Sequence, residues 1–276
     1  MNHRPATPAT NATEGQAGQG AFTWRQRLRS WRNSLGLSLS QRLRGSRGEY
    51  RERPCGRLIS VDARIDGRIR ALQERYAVRF ESTLNSRTSL NNYAYLELLD
   101  RAFDAAGEAA PRPGRLTDVG CASFWYAAAL HAFFRPGELA GFEIEGYRRF
   151  WNGHTRADYA RGYAGALPGG RFVAADYGSV DAPADLISCW YPFLTAAPLL
   201  AWGLPLKLLK PVELFESIGR NLASGGAVLL VNHGQREAAL AAGHAERAGL
   251  HRQWIRAEAD PLVPRLEPPV ASYWRR

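Results

Sequence analysis

The sequence predicts an α/β protein: a mostly parallel sheet of seven strands with helices on both faces, preceded by an N-terminal helical extension. Three observations carry this. From residue 115 onward, short apolar runs alternate with helical stretches of roughly 10–20 residues, the pattern of parallel strands joined by crossover helices. Pro111, Pro113 and Gly114 break the chain just before that alternation begins. With 45% hydrophobic and 22% charged residues in 276, the composition is globular. Such a chain can bury a sizeable core without disulfides or metal clips.

Taken in order, residues 1–21 are polar and Ala-rich with little to bury, and are expected to be a disordered tail. Residues 22–57 form a basic amphipathic segment. Trp24, Leu28, Trp31, Leu35, Leu39 and Leu43 recur every three or four residues, along one stripe of a helix. Arg25, Arg29, Arg32, Arg42 and Arg44 fall beside or opposite it. Residues 58–110 read as a helical cap, with Ser89 as an N-cap and Gly107 as a stop. Residues 111–276 carry the sheet, with strands at 115–119, 138–143, 171–174, 185–188, 227–231, 251–257 and 270–274. Helices are expected at 124–134, from the second strand through Ala166, at 212–222 and at 236–248. The last two strands, joined by a Pro-rich loop, are expected to pair as a hairpin at the sheet edge.

The net charge of +10 is concentrated at the front: residues 1–57 hold eleven arginines against Glu14, Glu49 and Glu52. The basicity therefore belongs to the extension and not to the domain, which lowers nucleic acid as a partner of the sheet. Cys55, Cys121 and Cys189 are too few and too far apart for a disulfide framework or a zinc ribbon. No apolar run reaches the length of a transmembrane helix, and no secretory leader is recognisable. The expected location is the cytoplasm, with peripheral contact at the inner face of the membrane through residues 22–45. Two Trp with flanking Arg suit a helix lying in a membrane interface. The same stripe equally suits docking on the neighbouring domain.

In an open α/β sheet, ligands sit beyond the carboxyl ends of the strands, near the point where strand order reverses. The residues there are Asp118-Val119-Gly120-Cys121-Ala122, then Glu143, then Asp176-Tyr177, then Cys189-Trp190-Tyr191, then Asn232-His233. In this order and spacing, residues 111–276 resemble the class I S-adenosylmethionine-dependent methyltransferases, a Rossmann-like family. Residues 115–120 are similar to the family's first motif, a strand ending in Asp-x-Gly. Glu143 falls where the family places the acid that holds the ribose hydroxyls. Asp176 falls beside the adenine amino group, and the Leu-Ala-Ser-Gly-Gly run at 222–226 looks like the lead-in to the fifth strand. The resemblance implies S-adenosylmethionine as cofactor, held by Asp118, Gly120, Cys121, Ala122, Glu143, Asp176 and Tyr177. The family's first loop reads Gly-x-Gly-x-Gly, whereas only Gly120 remains here, followed by Ala122 and Phe124. Two readings follow: a variant loop that still binds the cofactor, or a catalytically inactive binding or scaffold protein whose pocket Phe124 occludes.

On the acceptor side, Tyr191 and His233 are the candidates for orienting the nucleophile or taking its proton. The strongly apolar stretch 192–211 reads either as a helix packed on the extension or as an apolar wall over the site. It makes a small, hydrophobic or lipid-like acceptor the expected substrate. His154 and Asp158 lie one helical turn apart without a third ligand nearby, so no metal is expected.

Overall fold

The computed structural model describes residues 22–58 and 62–276. The tail expected over 1–21 lies outside the described residues, as do 59–61 of the cap. Strands β1 (Arg115–Val119), β2 (Glu138–Phe142), β3 (Gly170–Val173), β4 (Ala184–Trp190), β5 (Leu222–His233), β6 (His251–Ala257) and β7 (Pro269–Arg275) form one sheet. Their order is β3-β2-β1-β4-β5-β7-β6. The first five strands run parallel, and β7 is antiparallel to both β5 and β6. This is the Rossmann-like sheet expected from the alternation, closed by the expected edge hairpin.

Among the described residues, eight α-helices accompany it: α1 (Trp24–Leu43), α2 (Ala63–Tyr76), α3 (Ser86–Ala106), α4 (Ala127–Phe134), α5 (Arg156–Gly165), α6 (Ala196–Trp202), α7 (Pro211–Asn221) and α8 (Gly234–Arg247). Alternate strand residues face opposite sides, so the sheet builds two cores. Leu139, Leu229 and Tyr273 meet α3 and α4 through Leu96, Leu99, Leu130 and Phe133. On the other face Val228, Leu230 and Trp274 meet α7 and α8 through Phe215, Ile218 and Ala245. Register aligns the left half of the sheet: Val119 lies opposite Phe142, and Phe142 opposite Val173. The residues after β1, β2 and β3 therefore share one rim, next to the reversal between β1 and β4.

Three sequence expectations change. The helix expected directly after the second strand is instead a turn-rich loop with an Arg149–Thr155 bridge, and α5 starts only at Arg156. A capping box explains that start: the Thr155 side chain accepts from the Asp158 amide, and the Asp158 carboxylate accepts from the Thr155 amide. The helix expected from residue 124 begins at Ala127, because residues 120–126 are a loop. The N-cap of α3 is Asn85 and not Ser89, its side chain accepting from the Thr88 amide.

The extension gives the largest surprise. Helix α1 docks on α6, but not by its Trp/Leu stripe. Asn33 Nδ2 donates to the carbonyls of Leu200 (3.2 Å) and Leu204 (2.9 Å), and the Leu206 amide donates to Ser30 Oγ (2.9 Å). Leu37 is the one buried residue of the helix. The docked face is the Ser/Asn face, and the stripe points away from the domain.

Candidate active site

The β1–α4 loop starts from backbone chemistry. The amides of Gly120 and Cys121 both donate to the Phe142 carbonyl (2.9 and 3.1 Å), folding the chain sharply across the end of β2. The turn then takes left-handed backbone at alternate residues: φ is +74° at Gly120, +52° at Ala122 and +53° at Phe124. Only Gly adopts that region without steric cost; an L-residue there loses about 1–2 kcal/mol. The loop thus holds the backbone path of a glycine-rich turn although two of its three positions are not glycine. Such a turn leaves the peptide edge open to close approach by a ligand. Ala122→Gly should consequently raise the melting temperature by roughly 2 °C, equivalent to about 0.5–1 kcal/mol. A melting curve that is unchanged or lowered would mean that residue 122 carries no such strain.

Phe124 does not occlude this rim. Its ring is fully buried on the α4 side of the sheet, edge-on to Tyr126 (5.8 Å). It lies over Gly141 so closely that a Cβ there would come within 2.6 Å of the ring. Gly141 is what lets the Phe side chain turn inward. Cys121 is buried in the same core, its Sγ also against Gly141, and burial pushes its thiol well up. Its side chain therefore supports the loop from within and does not line the rim.

Glu143 follows β2 and is buried. Its Oε2 accepts from the Ala122 amide (2.9 Å) and its Oε1 from the Glu145 amide (2.8 Å). One carboxylate therefore clasps the loop to the end of β2, and each oxygen keeps a further lone pair. Asp118 lies beneath, fully enclosed. Tyr126 Oη donates to its Oδ2 (2.6 Å) and Ser188 Oγ to its Oδ1 (2.5 Å). It braces the loop and does not face a ligand, which changes the contact expected of it. Burial pushes its carboxyl up to about 7, against the pull of the two hydroxyls. At the end of β3, Asp176 is exposed and caps a short 3-10 turn by accepting from the Gly178 amide (3.0 Å). The Tyr177 ring turns into the opposite core against Phe142 (5.3 Å), so its side chain leaves the rim too.

Tyr191 and His233 meet although they are far apart in sequence. Their rings stack at 3.9 Å between centroids, 14° from parallel. Tyr191 also has left-handed backbone, φ +55°. The Arg265 guanidinium lies over Tyr191 (5.4 Å) and Tyr95 (5.6 Å). Behind them Tyr95 stacks on Tyr126 (4.9 Å) and Trp190 (4.4 Å), giving an aromatic wall at the end of β4. Burial lowers the His233 imidazole below its ordinary pKa, with the Glu237 and Glu267 carboxylates opposing and the Arg265 cation reinforcing the shift, which favours the neutral ring.

Arg265, Tyr95 and Arg156 belong to this region and were not singled out from sequence. Nothing local marks Tyr95 or Arg265; the threefold and fourfold spacing of α3 reads simply as core. Arg156 is buried, its Nη2 3.3 Å from Glu145 Oε2 and its guanidinium 4.5 Å over the Trp202 ring. Arg148 Nη1 donates to the Trp202 carbonyl (2.6 Å) and pairs with Glu145, tying the end of α6 to the segment after β2. Several buried polar atoms here have no protein partner: Trp190 Nε1, Tyr191 Oη, and Arg156 Nε and Nη1. Buried polar groups are nearly always satisfied, so a polar ligand along the strand ends fits this rim. His154 and Asp158, weighed as a pair from sequence, stand 3.8 Å apart (Nδ1 to Oδ2), with the Asp158 carboxylate engaged in capping α5.

A groove of about 330 Å³ lies elsewhere, over Thr117, Ala140 and Phe142 and reaching to Arg115, Arg171 and Asp181 at the amino ends of the strands. It exists because the β3–β4 connection contains only the 3-10 turn at Tyr177–Ser179 and no helix. None of the rim residues lines it.

No family model matches the chain, and no curated protein matches it. Solved structures do resemble it. N-methyltransferase NodS from Bradyrhizobium japonicum, in complex with S-adenosylhomocysteine, is 12% identical over 75% of this chain and 97% of that one, with a TM-score of 0.49. A TehB-like S-adenosylmethionine-dependent methyltransferase from Corynebacterium glutamicum is 17% identical over 66% and 86%, TM-score 0.43. TrmN from Thermus thermophilus is 17% identical over 66% of this chain, TM-score 0.44, and this chain spans about half of its length (48%). At such identities the likeness is one of chain path, and activity rests on the residues described above.

Proposed function

We propose that the protein is an S-adenosylmethionine-dependent methyltransferase acting on a small apolar or lipid-like acceptor. The observation that carries this reading is the β1–α4 loop, with left-handed backbone at residues 120, 122 and 124, clasped by Glu143 beside the reversal of strand order. Gly120 and Ala122 present backbone to the cofactor, Glu143 offers its remaining lone pairs to ribose hydroxyls, and exposed Asp176 accepts from the adenine amine. Asp118 and Cys121 hold the loop from beneath.

When bound, S-adenosylmethionine supplies a methyl group on a sulfonium, open to in-line attack. The chain's own part is to position the acceptor and, where the acceptor carries a proton, to remove it. The aromatic wall of Tyr95, Trp190 and Tyr191 suits an acceptor with an apolar body, and the unpartnered Trp190 Nε1 and Tyr191 Oη suit a polar group at its reacting end. His233, favoured in its neutral form, can take a proton, and its stacking on Tyr191 fixes the plane of the ring. If His233 is the base, the acid limb of the kcat profile falls below 6.5, the ordinary imidazole value, because burial favours the neutral form. His233→Gln should remove that limb and lower kcat by roughly 100-fold or more. A limb that persists in His233→Gln would assign the proton to another group.

Glu143 also favours a second reading. Its two oxygens already satisfy two amides, as a purely structural clasp would in a non-catalytic binding protein. Calorimetric titration with S-adenosylhomocysteine separates the two. Micromolar binding supports the methyltransferase, and no heat at millimolar ligand supports the non-catalytic protein.

A further inference from the structure

Helix α1 turns the usual logic of an amphipathic helix inside out. A surface helix ordinarily buries its apolar stripe against the domain and shows water its polar face. Here the Ser/Asn face docks on α6, while Trp24 (69% exposed), Leu28, Trp31 (60%), Leu35, Leu39 and Leu43 all stand in solvent. Six large apolar side chains on one stripe are far more than the scattered exposed residues of an ordinary surface. The helix is well built in its own right: Thr23 and Gln26 form a capping box at its start, and the docking hydrogen bonds fix which face points outward.

What covers the stripe is indicated by charge. Residues 22–48 contain seven arginines and no Asp, Glu or Lys. Arg25, Arg27, Arg29, Arg32, Arg42 and Arg44 are all exposed. Around the helix, Arg25 and Arg32 fall on one flank of the stripe and Arg27 on the other. A second copy would bring two such arginine sets together with no acids in either helix to pair them. An acidic protein surface or a nucleic acid would match the charge but leave the Trp/Leu stripe without apolar company. An anionic bilayer satisfies both features, since Trp and Leu bury at the level of the headgroups while guanidinium groups reach the lipid phosphates. No described helix is long and apolar enough to cross a membrane, so the contact lies in the surface plane.

We propose that α1 is a bilayer-docking helix that lays its Trp24–Leu43 stripe into the headgroup layer of an anionic membrane. Its docked face carries α6, whose terminal Trp202 lies over Arg156 beside the candidate active site. The membrane-bound helix therefore holds that rim close to the lipid. The proposal stands independently of methyl transfer, because it rests on α1 alone.

The test is sedimentation of the full chain with vesicles of phosphatidylcholine alone, and with equimolar phosphatidylcholine and phosphatidylglycerol. Binding is expected only to the anionic vesicles, weakening as salt rises. Trp24→Ser/Trp31→Ser should lower the affinity at least tenfold or so. Both rings are exposed, so the variant should melt as the parent does and keep its affinity for S-adenosylhomocysteine. Absence of binding to the anionic vesicles would overturn the proposal, as would equal binding by the variant. A dimer that the variant dissociates, without vesicle binding, would show that a second copy covers the stripe. Retention on polyuridylate without vesicle binding would show that the arginines serve nucleic acid.

Discussion

Glu143→Ala is expected to weaken S-adenosylhomocysteine binding by about 100-fold, the equivalent of roughly 3 kcal/mol. Two effects act in the same direction. The variant loses the acceptors proposed for the ribose hydroxyls, and it releases the amides of Ala122 and Glu145 that the carboxylate holds. The Glu145 amide is a buried donor and the Ala122 amide a half-buried one, and leaving them unpaired loosens the loop whose backbone approaches the ligand. Glu143→Gln separates the contributions. The amide side chain keeps one acceptor oxygen, so one clasp survives, and an intermediate loss of about tenfold is expected. Calorimetry on both variants, with melting curves to show that they fold, makes the comparison. Wild-type affinity in Glu143→Ala would remove the ribose assignment and leave Glu143 a structural clasp.

Asp118→Asn should change the pH dependence of stability more than any other single substitution in the site. Asp118 is fully buried, and its folded pKa is raised to about 7 from the ordinary 3.8. Between those values the unfolded chain gives up the proton while the folded chain keeps it. The unfolded state therefore binds fewer protons, and stability falls as pH rises from about 4 to 7. Three pKa units correspond to about 4 kcal/mol lost across that window. Asn removes the ionisation and keeps the shape. Tyr126 and Ser188 are hydroxyls that can each donate or accept, so both can re-pair with an amide. Melting temperature against pH should slope downward from pH 4 to 7 in the parent and be flatter in the variant. Other raised carboxyls, such as buried Glu145, contribute to both curves and cancel in the difference. Identical slopes would show that Asp118 is ionised throughout that range.

Much of this architecture is written locally. Strand–helix alternation, the stop at Gly107, the turn at Gly120 and the acids after the second and third strands depend on neighbours in sequence, and periodicity and turn chemistry report them directly. The Trp/Leu stripe of α1 is equally legible, because a helix fixes which residues share a face. The helix expected after the second strand shows where this ends. Its composition suits a helix, but Glu143, Glu145 and Arg156 engage one another and the end of α6, and those tertiary partners keep residues 143–155 out of helical geometry.

What the sequence by itself determined is therefore the element types, the strand ends that carry the site, and the existence of an apolar stripe beside a basic one. The tertiary structure alone decided the direction in which each side chain is used. Phe124 turns inward because Gly141, on a different strand, leaves room for its ring. Tyr191, His233, Tyr95 and Arg265 converge because β4, β5, α3 and the β6–β7 loop meet at one corner of the sheet. Helix α1 turns its Ser/Asn face inward because α6 and the loop after it offer carbonyls at Leu200 and Leu204 for Asn33. Periodicity tells which residues share a face, but the partner that a face meets is set by contacts between residues that lie 17 (Phe124 and Gly141) to 171 (Asn33 and Leu204) positions apart.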